Sequence, residues 1–299
     1  MLGDADIEHF LTHGFVQLTD CFDTAPGSLA DRWVKESWAR NGISFDDPAA
    51  WPNDRIHMPG PEWVSVRDFA PRALAAMGEL CGGADRILQE VTWSNGFVAN
   101  YGWGRDKEWA PPGRQAGDWH KDGDFFTHFL DSPEQGLLLI VLFTDINPRG
   151  GGTFIACDSV APVARYLAAH PEGVSPAGFP GNELIGECHD LRETTGRAGD
   201  VFLLHPFLLH TPSYNHRSEA RLMINPPVHL REPMCFDRRA DGSAYSVVEL
   251  AVLRALDAAH YDFQPAGPRS KIIPPRMANE AKLQAKVGRL IRRIAHRKQ

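Results

Sequence analysis

Short apolar runs separated by turn-forming residues fill the middle of this chain, and they restrict it to a mainly β fold. The longest run is Leu137–Phe143. The other candidate strands are Thr153–Cys157, Val201–Leu204 and Leu222–Val228. Several short strands with turn signals between them are typical of an antiparallel sandwich or a jelly roll. We therefore predict an antiparallel β core in residues 91–230.

Helix-forming patterns lie on both sides of these strands. The predicted helices are one that starts at Asp4 and ends at Gly14, then Leu29–Arg40, Phe69–Leu80, Val247–His260 and Asn279–Arg297. The segment Gly42–Pro61 is rich in Pro, Asp and Asn and is predicted to be a loop. We expect a single domain over 1–299, with mainly helical support in 1–90, the β core in 91–230 and a helical extension in 231–299.

The bulk composition excludes several classes of protein. Of the 299 residues, 43% are hydrophobic and 23% are charged, which is ordinary for a globular domain. The formal net charge of −7 argues against nucleic-acid binding, because phosphate neutralisation needs clustered Lys and Arg. Five separated cysteines favour a reducing cytoplasm over a disulfide framework.

No segment of the sequence predicts insertion into a membrane. The first ten residues contain no long apolar run and do not resemble a signal peptide. The run Leu137–Phe143 is far too short to span a bilayer. We therefore expect a cytoplasmic protein without a membrane span. The stripe of apolar residues on Asn279–Arg297 is expected to pack within the chain or in a homodimer. The alternatives are that this basic amphipathic helix lies on an anionic membrane surface or contacts a carrier protein.

His120 and Asp122 are separated by one residue, the spacing at which two side chains on a strand point to the same face. A third ligand from a distant strand would complete a site of two histidines and one carboxylate, which suits Fe(II) and leaves coordination positions open. His210 is the candidate, because it ends the apolar segment that follows Gly199. Taken alone, the short motif is weak evidence for a metal site, because two ligand-type residues at this spacing often arise by chance, and a surface strand with an ordinary polar histidine is then favoured.

Arg221 lies eleven residues beyond His210, at the start of a predicted apolar strand. A guanidinium can form a bidentate pair with the carboxylate of a keto-acid cosubstrate. The alternative is a plain ion pair on the surface. The place of Arg221 relative to His210 favours the cosubstrate role.

The motifs that carry chemistry occur in an order that resembles the phytanoyl-CoA dioxygenase family of Fe(II)/2-oxoglutarate-dependent oxygenases. The resemblance covers most of the chain and rests on Ile7–Leu18, Trp119–Asp122, Pro148–Thr153, Gly199–His210, Asn215 and Arg221. It implies a double-stranded β-helix, a cupin-like jelly roll, with flanking helices. It also selects His210 over His205, which we expect to have a structural role.

The resemblance implies specific ligands. Fe(II) would be held by His120, Asp122 and His210, and 2-oxoglutarate would be bound by Arg221. The family often has Ser two residues after the second metal histidine. This chain has Pro212 there, so the neighbouring Thr211 and Ser213 are the candidates for that contact.

The reaction implied by the resemblance is oxidation of a C–H bond in a small-molecule metabolite, using O2 and releasing succinate and CO2. Related halogenating oxygenases replace the metal carboxylate by a small residue. Asp122 therefore favours hydroxylation over halogenation. Two other hypotheses stay open: a metal-dependent cupin-type enzyme that does not use 2-oxoglutarate, and a non-catalytic barrel that binds a ligand. Arg221 argues against the first hypothesis and an intact triad against the second.

Overall fold

The computed structural model describes residues 1–44, 47–240 and 242–274. The helices are α1 (Asp4–His13), α2 (Leu29–Arg40), α3 (Val66–Phe69), α4 (Pro71–Cys81), α5 (Val160–Ala168), α6 (Gly181–Leu184) and α7 (Val247–Ala255). The strands are β1 (Phe15–Leu18), β2 (Arg55–His57), β3 (Trp63–Ser65), β4 (Thr92–Ser94), β5 (Val98–Asn100), β6 (Leu137–Leu142), β7 (Phe154–Ala156), β8 (Leu191–Glu193), β9 (Val201–Leu204), β10 (His210–Thr211), β11 (Arg221–Ile224) and β12 (Pro227–Val228). The predicted helix Asn279–Arg297 lies outside the described residues.

Two antiparallel sheets form the centre of the molecule. The larger sheet has the order β1-β9-β6-β11-β5-β2, and β12 also pairs with β6. The smaller sheet has the order β10-β7-β8, and β3 pairs with β4 separately. This arrangement confirms the prediction of a mainly β protein with flanking helices.

The alternation of side chains along β6 shows what each face of the larger sheet covers. Leu138, Ile140 and Leu142 belong to a buried cluster that also contains Ile155 of β7, so this face packs towards the smaller sheet. Leu139 and Val141 belong to the main core, which the helices share. The helical members of that core include Phe10, Trp33, Met77 and Val252. The strand is buried on both faces, which explains why its sequence is apolar throughout.

The first two predicted helices are confirmed, and local signals explain their ends. Gly14 ends α1 with a φ of 71°, and a Cβ at this position would lie 2.6 Å from Cδ1 of Leu208. Oγ of Ser28 accepts a hydrogen bond from the backbone N–H of Asp31 and so caps α2.

Two expectations for the strands need correction. The segment Gly42–Pro61, expected to be a loop, contains β2, because its backbone groups pair with those of β5. The strand expected at Leu222–Val228 is divided into β11 and β12, because Pro226 has no N–H with which to continue the ladder. None of the helices in the described ranges is long and apolar enough to cross a membrane.

Candidate metal centre

The structure brings His120, Asp122 and His210 together. Each offers one ligand atom, and the three atoms all lie within 4.8 Å of one another. Oδ1 of Asp122 lies 3.7 Å from Nε2 of His120 and 3.6 Å from Nε2 of His210. The side chain of His210 is 8% exposed and that of His120 is 44% exposed, so the site opens on the His120 side.

The backbone fixes the two histidines opposite each other. The N–H of His120 donates to the carbonyl of His210 at 3.1 Å, and the N–H of His210 donates back at 2.9 Å. Residues that exchange both bonds in an antiparallel pair project their side chains to the same side of the ladder. The ring centroids are accordingly 4.4 Å apart. Instead of the strand expected at His120, the structure has an isolated antiparallel β-bridge between His120 and His210 of β10.

Both imidazoles are held in the tautomer that leaves Nε2 available to bind a metal. Nδ1 of His120 lies 2.7 Å from the carbonyl oxygen of Asp118, and Nδ1 of His210 lies 3.1 Å from that of Leu208. A carbonyl can only accept, so each Nδ1 carries the proton and donates. Each Nε2 then directs a lone pair towards the centre of the triad.

Asn225 orients the carboxylate of Asp122. Its Nδ2 atom donates to Oδ2 of Asp122 at 3.1 Å, which leaves Oδ1 for the histidines or for a metal. The sequence analysis missed this residue. The sequence could have indicated it, because Arg221, Met223 and Asn225 follow one another at intervals of two residues. Side chains at this spacing on a strand share one face.

The charges of the three ligands are coupled. Burial would raise the pKa of Asp122, but the neighbouring His210 and His120 hold it well below its usual range. Burial would lower the pKa of His210, but the carboxylate of Asp122 raises it overall. The pKa of His120 is lowered by burial and by His210. Asp122 is therefore anionic, which is the form that binds a cation.

Lys121 lies between two of the ligands in sequence, but its amine is engaged elsewhere. The Nζ atom lies 3.0 Å from Nδ1 of His128 and donates to the backbone carbonyl of Asp122 at 3.1 Å. Burial lowers the pKa of this amine to about 7. These contacts place the amine beside His128 and the backbone of Asp122.

Arg221 lines the same cavity as the triad and has no acidic partner among the described residues. It is 2% exposed. Its Nη1 atom donates to the sulfur of Met223 at 3.0 Å, and its Nε atom has no hydrogen-bond partner in the described part of the chain. Burial, and secondarily the charge of Arg55, lower its pKa to about 9. A buried guanidinium in this state lacks the anion that its charge and its donors require.

The cavity has a volume of about 490 Å³ and lies between the two sheets. Its polar lining includes Arg55, His120, Asp122, Gln135, Thr153, His210, Arg221 and Asn225. Gln135 is buried, and its Oε1 atom has no hydrogen-bond donor among the described residues. Gln135 was also missed by the sequence analysis, because nothing in its local sequence shows that it faces a cavity.

The remaining candidates have other contacts. The hydroxyl of Thr211 donates to the carbonyl of Gly117 and that of Ser213 to the carbonyl of Gly152, and neither residue lines the cavity. These contacts give no support to the expected role of the two hydroxyls in cosubstrate binding. His205 is fully buried; its Nδ1 accepts from the N–H of Phe207, and its Nε2 lies 3.3 Å from the carbonyl of Val248. His205 therefore has structural contacts, as expected.

The start of α6 supports the segment that carries His120. Oδ1 of Asn182 accepts from the backbone N–H of Trp119 at 3.0 Å. A Cβ on Gly181 would lie 2.0 Å from the carbonyl oxygen of Trp119 and 3.1 Å from the Cα of His120. Only glycine allows the two backbones to approach this closely. The sequence analysis identified neither residue.

Comparison with protein-family models finds no match, and no curated protein sequence matches either. Several solved structures are similar in shape. The epimerase SnoN, in complex with Fe3+, alpha ketoglutarate and nogalamycin RO, has 15% identity and a TM-score of 0.44, over 74% of this chain and 81% of that chain. AviO1 from Streptomyces viridochromogenes Tue57 has 17% identity and a TM-score of 0.41, over 75% and 96%. HygX from Streptomyces hygroscopicus, with nickel and 2-oxoglutarate bound, has 17% identity and a TM-score of 0.38, over 82% and 96%.

Proposed function

We propose that this protein is an Fe(II)/2-oxoglutarate-dependent oxygenase of the phytanoyl-CoA dioxygenase type, built on a double-stranded β-helix. It would hydroxylate, or otherwise oxidise, an unactivated C–H bond of a small-molecule metabolite, with release of succinate and CO2. The observation that carries the proposal is that one cavity contains both the triad and the buried, unpaired Arg221.

The triad fits Fe(II) because of its donor atoms and because hydrogen bonds already hold its three side chains in place. It offers two imidazole Nε2 atoms and one carboxylate oxygen, the set that binds one side of Fe(II) and leaves positions for other ligands. Each Nδ1–H already donates a hydrogen bond to a backbone carbonyl, and Asn225 donates one to Asp122. These contacts reduce the reorganisation that metal binding requires.

Arg221 fits the far carboxylate of 2-oxoglutarate. The cosubstrate is a dicarboxylate, so its keto-acid end can reach the metal while its other end pairs with a guanidinium. That pair would supply the missing anion for a buried cation and satisfy the free Nε donor. Neither a barrel enzyme without a dicarboxylate cosubstrate nor a non-catalytic barrel would explain why the cationic side chain of Arg221 is buried here.

When bound, Fe(II) and 2-oxoglutarate supply the activation of O2 and the oxidative decarboxylation. The chain itself fixes the positions of the ligands. His120 and His210 are fixed opposite each other by the two backbone hydrogen bonds that they exchange. Asp122 provides the metal-binding carboxylate that a halogenating site lacks. The walls between the two sheets limit access of water, and the open side at His120 gives the substrate its approach.

The test is an anaerobic titration of the purified protein with Fe(II) and 2-oxoglutarate, followed by measurement of succinate after exposure to O2. We expect one metal per chain and succinate formation that candidate substrates stimulate. His120→Ala, Asp122→Ala and His210→Ala should each lose the metal, because three ligands are the minimum for this site. The matched control is His205→Gln, which alters a buried histidine outside the triad and should keep the metal.

Two outcomes would reject the proposal in distinct ways. Metal binding without any effect of 2-oxoglutarate would favour a metal enzyme that does not use this cosubstrate. Failure of the folded wild-type protein to bind Fe(II) would favour a non-catalytic barrel. Loss of the metal in His205→Gln alone would show that the ligands have been assigned wrongly.

A further inference from the structure

The cavity contains a second arginine, in the same row of the larger sheet as Arg221. In the sheet register, Asn100 of β5 lies opposite Arg55 of β2 on one side and opposite Arg221 of β11 on the other. Residues opposite one another on neighbouring strands project to the same face, and neighbouring strands are about 4.8 Å apart. Both arginines line the cavity that holds the triad.

Arg55 has no acidic partner in the part of the chain that the structure describes. Its guanidinium carbon lies 5.4 Å from the centroid of the Trp103 ring. Its backbone N–H donates to Oδ1 of Asp54, but its guanidinium nitrogen atoms form no ion pair or hydrogen bond with the described residues. The indole fixes the direction of the side chain and leaves the N–H donors available. The charge of Arg55 also contributes to the lowered pKa of Arg221, so the two cations act on each other.

The neighbouring polar side chains make contacts other than ion pairs with these two arginines. Asn100, which lies between the two arginines, is fully engaged: Nδ2 donates to the carbonyl of Ser213, and Oδ1 accepts from the N–H groups of Gly102 and Trp103. Three carboxylates line the cavity, those of Asp118, Asp122 and Asp124, and Asp122 contacts the two histidines and Asn225. Among the described residues, neither guanidinium forms an ion pair with any of these carboxylates.

We infer that Arg55 binds an oxyanion of the substrate, a carboxylate or a phosphate, beside the cosubstrate. The inference rests on the proposed function, since 2-oxoglutarate has only two carboxylates and the metal and Arg221 take them both. Arg55 then remains for a third anionic group. The substrate class is a small metabolite that carries an acid group, placed so that a C–H bond faces the triad.

The first experiment tests Arg55 without relying on metal or cosubstrate. Metal-free Arg221→Gln protein is titrated with inorganic phosphate and, separately, with acetate, by calorimetry at low ionic strength. We expect saturable binding of at least one of the two anions, weakened at least about tenfold when Arg55→Gln is added, because the substitution removes a charge-assisted hydrogen bond to the anion. The preference between phosphate and acetate distinguishes the two kinds of acid group.

The second experiment separates Arg55 from the cosubstrate site. Protein loaded with Ni²⁺ is titrated with 2-oxoglutarate. Arg221→Gln should weaken binding at least about tenfold, and Arg55→Gln should leave it nearly unchanged. A large loss in Arg55→Gln would show that Arg55 binds the cosubstrate and would overturn the inference.

Arg149 provides a control arginine for both experiments. Arg149 stacks on Trp109 at 4.8 Å but lies outside the cavity, so Arg149→Gln should change neither titration. Arg55→Lys, which keeps the charge, should retain part of the anion binding.

Equal anion binding with and without Arg55, or no saturable binding in its presence, would overturn the inference. Failure of Ni²⁺-loaded wild-type protein to bind 2-oxoglutarate would instead reject the proposed function, and the first experiment would still decide the role of Arg55.

Discussion

Asn225 donates a hydrogen bond of 3.1 Å to Oδ2 of Asp122, and the other oxygen of that carboxylate lies 3.6 Å from Nε2 of His210. The carboxylate is therefore fixed from one side by a neutral amide and from the other by the histidines. Asn225 follows β11, the strand that begins with Arg221, so one short segment supports both the metal triad and the cosubstrate position.

The first prediction concerns Asn225→Ala. Removal of the amide frees Asp122 to rotate, and the loss of such supporting contacts typically lowers metal affinity about 10–100-fold. An anaerobic Fe(II) titration would measure the change. Asn53→Ala is the matched control, because Asn53 donates to Asp106 at 3.1 Å outside the cavity. Equal affinity in wild type and Asn225→Ala would show that Asp122 needs no such support.

The second prediction is that Arg221→Met stabilises the protein while damaging cosubstrate binding. The buried guanidinium has no anionic partner within residues 1–44, 47–240 and 242–274, and methionine can fill much of the same space beside Met223. Replacement of buried charges by apolar side chains is often stabilising by roughly 1–4 kcal/mol, so the free energy of unfolding should rise in the absence of ligands.

The same variant should bind 2-oxoglutarate at least about tenfold more weakly, because truncating one partner of a buried charge pair costs roughly 2–5 kcal/mol. Its metal affinity should be unchanged. Urea unfolding and a cosubstrate titration together check these results. Lower stability with unchanged cosubstrate binding would indicate that Arg221 is a purely structural residue.

Much of the fold follows from local patterns in the sequence. The strand Val201–Leu204 and the helix Leu29–Arg40 have the predicted bounds, because an apolar run and a capped amphipathic segment are each specified by neighbouring residues. The three triad residues could be selected because their types and their order along the chain are unusual.

The parts that were missed depend on pairing between distant segments. β2 has only three residues, two of them polar, and it is a strand only because β5 lies beside it at the edge of the sheet. Because the composition of this segment is typical of a loop, the sequence analysis did not identify Arg55 as a residue of the sheet. Gly181 was missed for a similar reason, since its role depends on the approach of Trp119, 62 positions away in the chain.

The third prediction is that Gly181→Ala disturbs the metal centre without altering any ligand. The new Cβ would lie 2.0 Å from the carbonyl oxygen of Trp119, so the backbone that carries His120 must move. Overpacking of this kind typically costs about 1–3 kcal/mol of stability. We expect a lower melting temperature and weaker Fe(II) binding.

Gly186→Ala is the control for this substitution, because a Cβ at Gly186 would meet no heavy atom within 4 Å. It should leave the melting temperature and the metal affinity nearly unchanged. If Gly181→Ala and Gly186→Ala behaved alike, the close approach of α6 to the segment of His120 would have no role in the metal centre.

The fourth prediction concerns the pH dependence of stability. Burial lowers the pKa of His205 from 6.5 to about 3, so this histidine is neutral in the folded protein and takes up a proton on unfolding below pH 6.5. Its contribution to stability is therefore fully present above about pH 6.5 and is lost progressively as the pH falls towards 3. Between pH 6.5 and 5 the loss amounts to about 1–2 kcal/mol. His205→Gln should reduce the change in unfolding free energy between pH 6.5 and 5 by this amount, whatever its effect at neutral pH. Urea unfolding at several pH values gives this change for both proteins, and identical changes in His205→Gln and wild type would contradict the assignment of a buried neutral histidine.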